Sequence, residues 1–223
     1  MKSMKTSSLR VTLLSAFSAI VVTFFVSPAA FAQTCKPVSE RTSEVGCWIT
    51  ANTVLGQLPK EPIFWHLYTY STRKEAELAK GPRGTVVESL GKVWLFTIDE
   101  EGWRSSSGER VATIGPLPVI PDIKYSSQYM EAIFTPGMEA PPHRHAGPEA
   151  WYTLSGETCL ETSEGYMTGR PGGPAVIVRG GLPMHLIATG KETRRSLVLI
   201  LHDSTQPPTT PARDWVPIGL CKK

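Results

Sequence analysis

The stretch Gly137-Met138-Glu139-Ala140-Pro141-Pro142-His143-Arg144-His145-Ala146-Gly147-Pro148-Glu149-Ala150-Trp151-Tyr152-Thr153-Leu154-Ser155-Gly156 decides how the chain is read. His143 and His145 are two residues apart, so on a strand both imidazoles point to one face. Gly147-Pro148 forces a turn, and Glu149 opens the next strand. On that strand Glu149, Trp151 and Thr153 share one face, while Ala150, Tyr152 and Leu154 share the other. Antiparallel pairing of the two strands would return Glu149 to the side of the histidines. Two imidazoles and one carboxylate then converge, a donor set with open positions suited to a divalent first-row metal. The chain has five histidines, and two of them sit here.

The segments around this stretch are short and β-prone. Gln128–Phe134, Pro142–Ala146, Ala150–Leu154, Glu157–Thr162, Gly165–Thr168, Ala175–Val178, Met184–Ala188 and Leu197–His202 read as strands, most of them separated by Gly, Pro or Ser. That rhythm predicts a sandwich or small barrel. Upstream, Ile63–Tyr70 reads as an aromatic-rich strand. Ser71-Thr72 caps a short helix over Arg73–Lys80, which Gly81 ends. Thr85–Ser89 and Lys92–Ile98 form a hairpin across Leu90-Gly91. Residues 33–60 read as an irregular arm, residues 100–109 as a polar loop, and Ser204–Pro211 as a Thr/Pro-rich loop.

The spacing resembles the first motif of the cupin superfamily: Gly, five residues, His-x-His, three residues, Glu, six residues, Gly. Gly137, His143, His145, Glu149 and Gly156 meet every interval. The resemblance covers roughly residues 125–203. It implies an all-β fold, a cupin jelly-roll barrel, with an N-terminal β-strand extension and one short helix. It also implies a metal held by His143, His145 and Glu149. The family's second motif is less faithful here. Gly173 and Gly181 match its glycines, and Arg179 replaces its proline. Its spacing puts Met184, not His185, in the slot of the fourth ligand, and Ala188 where an Asn often stands. One residue of slip exchanges the faces of a strand. So either His185 reaches the metal through a bulge, or Met184 points inward, where its soft thioether makes copper a candidate beside iron and manganese.

The expected site therefore has His143, His145, Glu149 and His185 as metal ligands, with Glu149 also the catalytic candidate, either staying bound or detaching to act as a base. Trp151, Met184 and Thr153 are expected in the substrate pocket. The metal expected first is iron or manganese, with copper, nickel and zinc as further candidates. The resemblance implies a metal-dependent dioxygenase or oxidoreductase acting on a small organic molecule. An isomerase or decarboxylase, or a non-catalytic metal- or ligand-binding protein of the cell envelope, uses the same residues. His66 and His202 are lone histidines in strand-like runs and read as structural.

Composition narrows the partners. The chain of 223 residues is 41% hydrophobic and 19% charged, an ordinary globular balance. Its formal net charge is +3, but Lys2, Lys5 and Arg10 precede residue 33 with no acid among them. Without them the chain is neutral, and nucleic acid and anionic membranes are not expected partners. Those charges, the apolar run Val11–Val26, the break at Ser27-Pro28 and the Ala30-Phe31-Ala32 pattern read as a signal peptide cleaved near Ala32. The expected location is periplasmic or secreted, free of the membrane after cleavage. The expected organisation is signal peptide 1–32, arm and β extension 33–124, cupin domain 125–203 and tail 204–223, and the resemblance suggests a homodimer. Export permits disulfides among Cys35, Cys47, Cys159 and Cys221, for which three pairings exist. Cys35–Cys47 would close a short loop, Cys221 would staple the tail, and Cys159 also suits a buried small hydrophobe.

Overall fold

The computed structural model describes residues 35–222. The expected signal peptide lies outside the described residues. In chain order the strands are β1 (Lys36–Pro37), β2 (Gly46–Gln57), β3 (Ile63–Tyr70), β4 (Gly84–Ser89), β5 (Lys92–Glu100), β6 (Glu109–Leu117), β7 (Lys124–Phe134), β8 (Glu139–His145), β9 (Glu149–Ser155), β10 (Glu157–Thr162), β11 (Gly165–Gly169), β12 (Val176–Val178), β13 (Met184–Thr189), β14 (Arg194–Asp203) and β15 (Thr209–Pro211). Helix α1 (Arg73–Ala79) follows β3. Its start is a capping box: the Glu75 amide donates to Thr72 Oγ1 at 3.2 Å, and the Thr72 amide donates to the Glu75 carboxylate at 3.1 Å. The β4–β5 hairpin turns on Leu90 and Gly91, both at positive φ (50° and 74°), the geometry of a tight two-residue connection.

The eight strands β7–β14 divide between two sheets. One runs β7-β14-β9-β12, the other β11-β10-β13-β8. Every pairing within these two sets is antiparallel. Counted from β7, the first sheet holds the first, eighth, third and sixth strands, and the second holds the fifth, fourth, seventh and second. A folded-over ribbon of paired strands wound into a barrel gives this order, which is the jelly roll, or double-stranded β-helix.

The extension enlarges that barrel. β2 adds to the first sheet beside β7, and β1 pairs in parallel with β2. Residues 46–57 were expected in an irregular arm and are instead a twelve-residue strand. Register shifts between Ile49 and Ala51 and between Val54 and Gly56 explain why no alternation is visible there. β6 is a further strand that the reading of residues 100–124 did not contain. It closes a sheet of order β4-β5-β3-β6.

Two cores result. Trp65, Trp94 and Phe96 of the extension pack with Tyr129, Leu197 and Leu199 on the outside of the first jelly-roll sheet. Inside the barrel, Met130, Trp151, Leu160, Leu186, Val198 and Ile200 form the second core. β14 shows the period of two: Leu197, Leu199 and Leu201 face the extension, while Val198 and Ile200 face the barrel interior. Both faces of this strand are buried, so its sequence is continuously apolar rather than alternating.

Disulfides join Cys35 to Cys47 and Cys159 to Cys221. The second pins the tail to the outer face of β10, so Cys159 is a bridge and not a free buried thiol. The tail also departs from the expected loop: β15 pairs with β8, setting Thr209 opposite His145 and Pro211 opposite His143.

Candidate metal and substrate cavity

β8 and β9 do not pair with each other. β8 lies between β13 and β15 in one sheet, and β9 lies between β14 and β12 in the other. The expected antiparallel hairpin is therefore a corner. Gly147-Pro148 carries the chain from one sheet to the other, and Glu149 meets the histidines across the barrel. The corner is tightly held. Gly181 N donates to His145 O at 2.9 Å, Leu201 N to Pro148 O at 2.9 Å, and Asp203 N to Ala146 O at 3.0 Å. A side chain at Gly147 would collide with the Leu201 carbonyl oxygen, and one at Gly180 with the Gly147 backbone.

A cavity of about 480 Å³ opens inside the barrel beside this corner, and His143, His145, Glu149 and Trp151 all line it. Its remaining wall is mostly apolar, including Met130, Phe134, Leu186, Val198 and Ile200. The rings of His143 and His145 lie 4.8 Å apart. His143 Nδ1 is 2.7 Å from Pro141 O. His145 Nδ1 is 2.9 Å from Pro208 O and 3.1 Å from Thr209 Oγ1. A backbone carbonyl only accepts, so each imidazole carries a proton on Nδ1. That arrangement leaves Nε2 as the coordinating atom, as in metal-bound histidines oriented by an outer hydrogen bond.

His145 Nε2 stands 3.5 Å from Glu149 Oε1, too far for a good hydrogen bond. His145 Nε2 and Glu149 Oε2 are both buried without any hydrogen-bond partner. Burial pushes the Glu149 carboxyl toward its neutral form, but the positive charge that His145 and His143 carry when protonated outweighs it and holds the group below the usual carboxylate range. Burial, assisted by His145, lowers the His143 pKa and favours its neutral form. Two imidazoles and an ionised carboxylate with unsatisfied buried atoms are donors that fit a divalent cation. Among the described residues no three such side chains are already closed into a metal-holding group. The pair His145 and Glu149 is together, with His143 beside it.

His185 does not join them. On β13 its neighbour Leu186 lines the cavity, and Met184 belongs to the interior core. His185 points to the opposite face, where Nε2 is 2.9 Å from Glu139 Oε2. The register shift between Met184 and Leu186 does not turn it inward. Its outer-face companions on β10 and β13, Cys159 and Ile187, are covered by the tail through Cys221. Met184 is buried in the barrel core but does not line the cavity. Thr153 does not line it either and lies behind it, with Ser196 Oγ at 3.4 Å from its hydroxyl.

Two contributors were missed from sequence. The tail supplies Pro208, Thr209 and Pro211 to the cavity wall. Arg194 is 1% exposed, lines the cavity, and sets its guanidinium 4.9 Å from the Trp151 ring and 5.5 Å from the Phe134 ring. Its signal was parity. Arg194 lies on the same face of β14 as Ser196, Val198 and Ile200, so extending the expected strand three residues upstream of Leu197 puts a charge on the interior face.

No protein-family model and no curated protein matches the chain. Solved structures do. A recombinant oxalate oxidase in complex with glycolate is 22% identical over 39% of this chain and 45% of that one, with a TM-score of 0.32. An oxalate decarboxylase variant from Bacillus subtilis is 20% identical over 40% of this chain and 24% of that one, at 0.33. A cupin-like protein from Thermotoga maritima is 15% identical over 41% of this chain and 65% of that one, at 0.35. The matched part spans less than two thirds of each of these proteins. The strand order by itself establishes the jelly-roll, or double-stranded β-helix, fold.

Proposed function

We propose that the protein is an exported, metal-dependent oxidoreductase acting on a small organic molecule inside the jelly-roll cavity. The observation that carries this is the pair of buried, unpartnered atoms, His145 Nε2 and Glu149 Oε2, facing one space that His143 also lines. His143, His145 and Glu149 would hold the divalent metal, iron or manganese before the others. When bound it supplies a Lewis acid with exchangeable positions for substrate and dioxygen. The chain's residues do the rest. The carbonyls of Pro141 and Pro208 keep the protons on Nδ1. Glu149, held ionised, would either stay a ligand through its carboxylate or, detached, act as the base. Trp151 and the aliphatic wall exclude water. Two disulfides among the described residues support an oxidising compartment, where the expected signal peptide would deliver the chain.

A second reading has one observation in its favour. Apart from Arg194, the lining holds no acid or base beyond the three donors. A protein that only holds a metal or ligand in the envelope needs nothing more. Metal content by mass spectrometry tests the site, comparing mature protein with a His143→Ala/His145→Ala variant after exposure to iron, manganese, copper and zinc. About one equivalent in the native protein, lost in the variant, is expected. Equal emptiness of the two would remove the mechanism. Oxygen uptake by the loaded protein with a panel of small organic acids and enols separates enzyme from holder.

A further inference from the structure

Arg194 has no role among the metal donors, and its position is costly. The side chain is fully buried. A guanidinium has five N–H donors. Its hydrogen bond to a protein group runs from Nε to Ser196 Oγ, at 3.0 Å, while Nη2 is buried with no partner. Ser196 Oγ is in turn 3.4 Å from Thr153 Oγ1, so a hydroxyl relay behind the wall holds the guanidinium in place. Trp151 and Phe134 bracket its faces. Faces are satisfied in this way, but the N–H fork is not. A buried cation with free donors, lining an apolar cavity, is a site prepared for an anion.

We propose that Arg194 anchors the carboxylate of a small, mainly apolar acid in the cavity, with the acid's other end directed at His143, His145 and Glu149. This rests on the reading of the cavity as a small-molecule site, and it names the substrate class. One guanidinium, planar and singly charged, matches one planar monoanion, and it is the one side chain of fixed positive charge in the lining. The span follows from β9. Trp151, against which the guanidinium lies, is two residues from Glu149, a separation of about 7 Å along a strand. The occupant is therefore an acid with its carboxylate roughly one short chain or one ring away from its second polar group. The space between is walled by Met130, Leu186, Val198 and Ile200, which suits a hydrocarbon body.

Isothermal titration of the mature protein, as isolated and again after chelation, tests this with benzoate and hexanoate beside benzamide and hexanamide. A carboxylate should bind the native protein at least about tenfold more tightly than its amide, the usual gain from a charge-assisted hydrogen bond. The preference should survive chelation and the His143→Ala/His145→Ala substitution, and should vanish in Arg194→Met. Arg194→Lys, which keeps the charge and loses the fork, should retain a weakened preference and covers a failure of the Met variant to fold. Equal binding, or no binding, of acids and amides by the native protein overturns the proposal, as does a preference that persists in Arg194→Met. An empty metal site with intact acid binding would sink the metal reading and leave this one standing. A filled metal site with no acid preference would do the reverse.

Discussion

Replacing Arg194 by Met should make the ligand-free protein more stable. Burial depresses the guanidinium to about 10 from its ordinary 12.5, against a partial opposing pull from Glu149. That difference is equivalent to about 3 kcal/mol against the charged form at neutral pH. The substitution forfeits the Nε bond to Ser196, worth about 1 kcal/mol, and the ring contacts with Trp151 and Phe134, worth about 1 kcal/mol. A methionine fills much of the same volume and adds apolar burial of about 1 kcal/mol. The net expectation is a gain of about 2 kcal/mol, or a rise in Tm of roughly 4–8 °C for a domain of this size. Thermal unfolding followed by circular dichroism, with urea denaturation alongside, reads it directly. A saturating carboxylate should narrow or reverse the difference, because it stabilises only the native chain. A loss of more than about 1 kcal/mol in the ligand-free variant would refute the reasoning, since a cation whose removal harms the empty protein is satisfied by its surroundings.

Three further outcomes are expected. His66 is fully buried, and burial lowers its pKa from 6.5 against the opposing bond to Glu100 O. Its stabilising contribution is present above pH 6.5 and is lost as pH falls below that value, by at most about 1.4 kcal/mol per pH unit. Urea midpoints across this range should fall less steeply in His66→Gln; an unchanged slope would contradict the assignment. Removing the bridge between Cys159 and Cys221, 62 residues apart, with paired Ser substitutions should cost about 4 kcal/mol on loop-closure grounds. It should also weaken metal retention by freeing the tail that carries Pro208, and full retention would show that the tail docks without the bridge. Gly147→Ala should cost about 2 kcal/mol or more, because the new methyl meets the Leu201 carbonyl oxygen. A variant with native Tm and native metal content would show that the corner is looser than described.

The barrel was legible because its residues repeat a rule. Alternation, punctuating glycines and the fixed intervals between Gly137 and Gly156 all follow from strands of similar length joined by tight turns. The shared cavity of His143 and His145 was legible for the same reason, since two residues on one strand face lie side by side. Other features depend on partners far away in sequence. β2 looks irregular because its bulges break the period of two, and only pairing with β7 makes it a strand. β8 and β9 look like a hairpin, but a two-residue corner serves equally well to join two sheets, and local sequence does not distinguish the cases. His185 against Met184 was a question of parity, and it is decided by which face of β13 the tail covers. Arg194 escaped notice because charged residues at a strand end normally reach solvent; here Phe134 lies opposite and Trp151 beneath.

The dependence of His145 on Pro208 also sets an order of events. The two residues are 63 positions apart, and Glu161 holds the later part of the tail by accepting the amides of Ile218, Gly219 and Leu220. During synthesis from the N-terminus, the eight jelly-roll strands emerge before the segment that orients this imidazole. The ring is therefore in place before its orientation is set. Until residues 208–211 dock, the bonds that fix the His145 ring through Nδ1 are not made, and the ring lacks the contacts that set its tautomer. Closure of the tail is thus the last step in fixing this imidazole, later than the barrel that surrounds it.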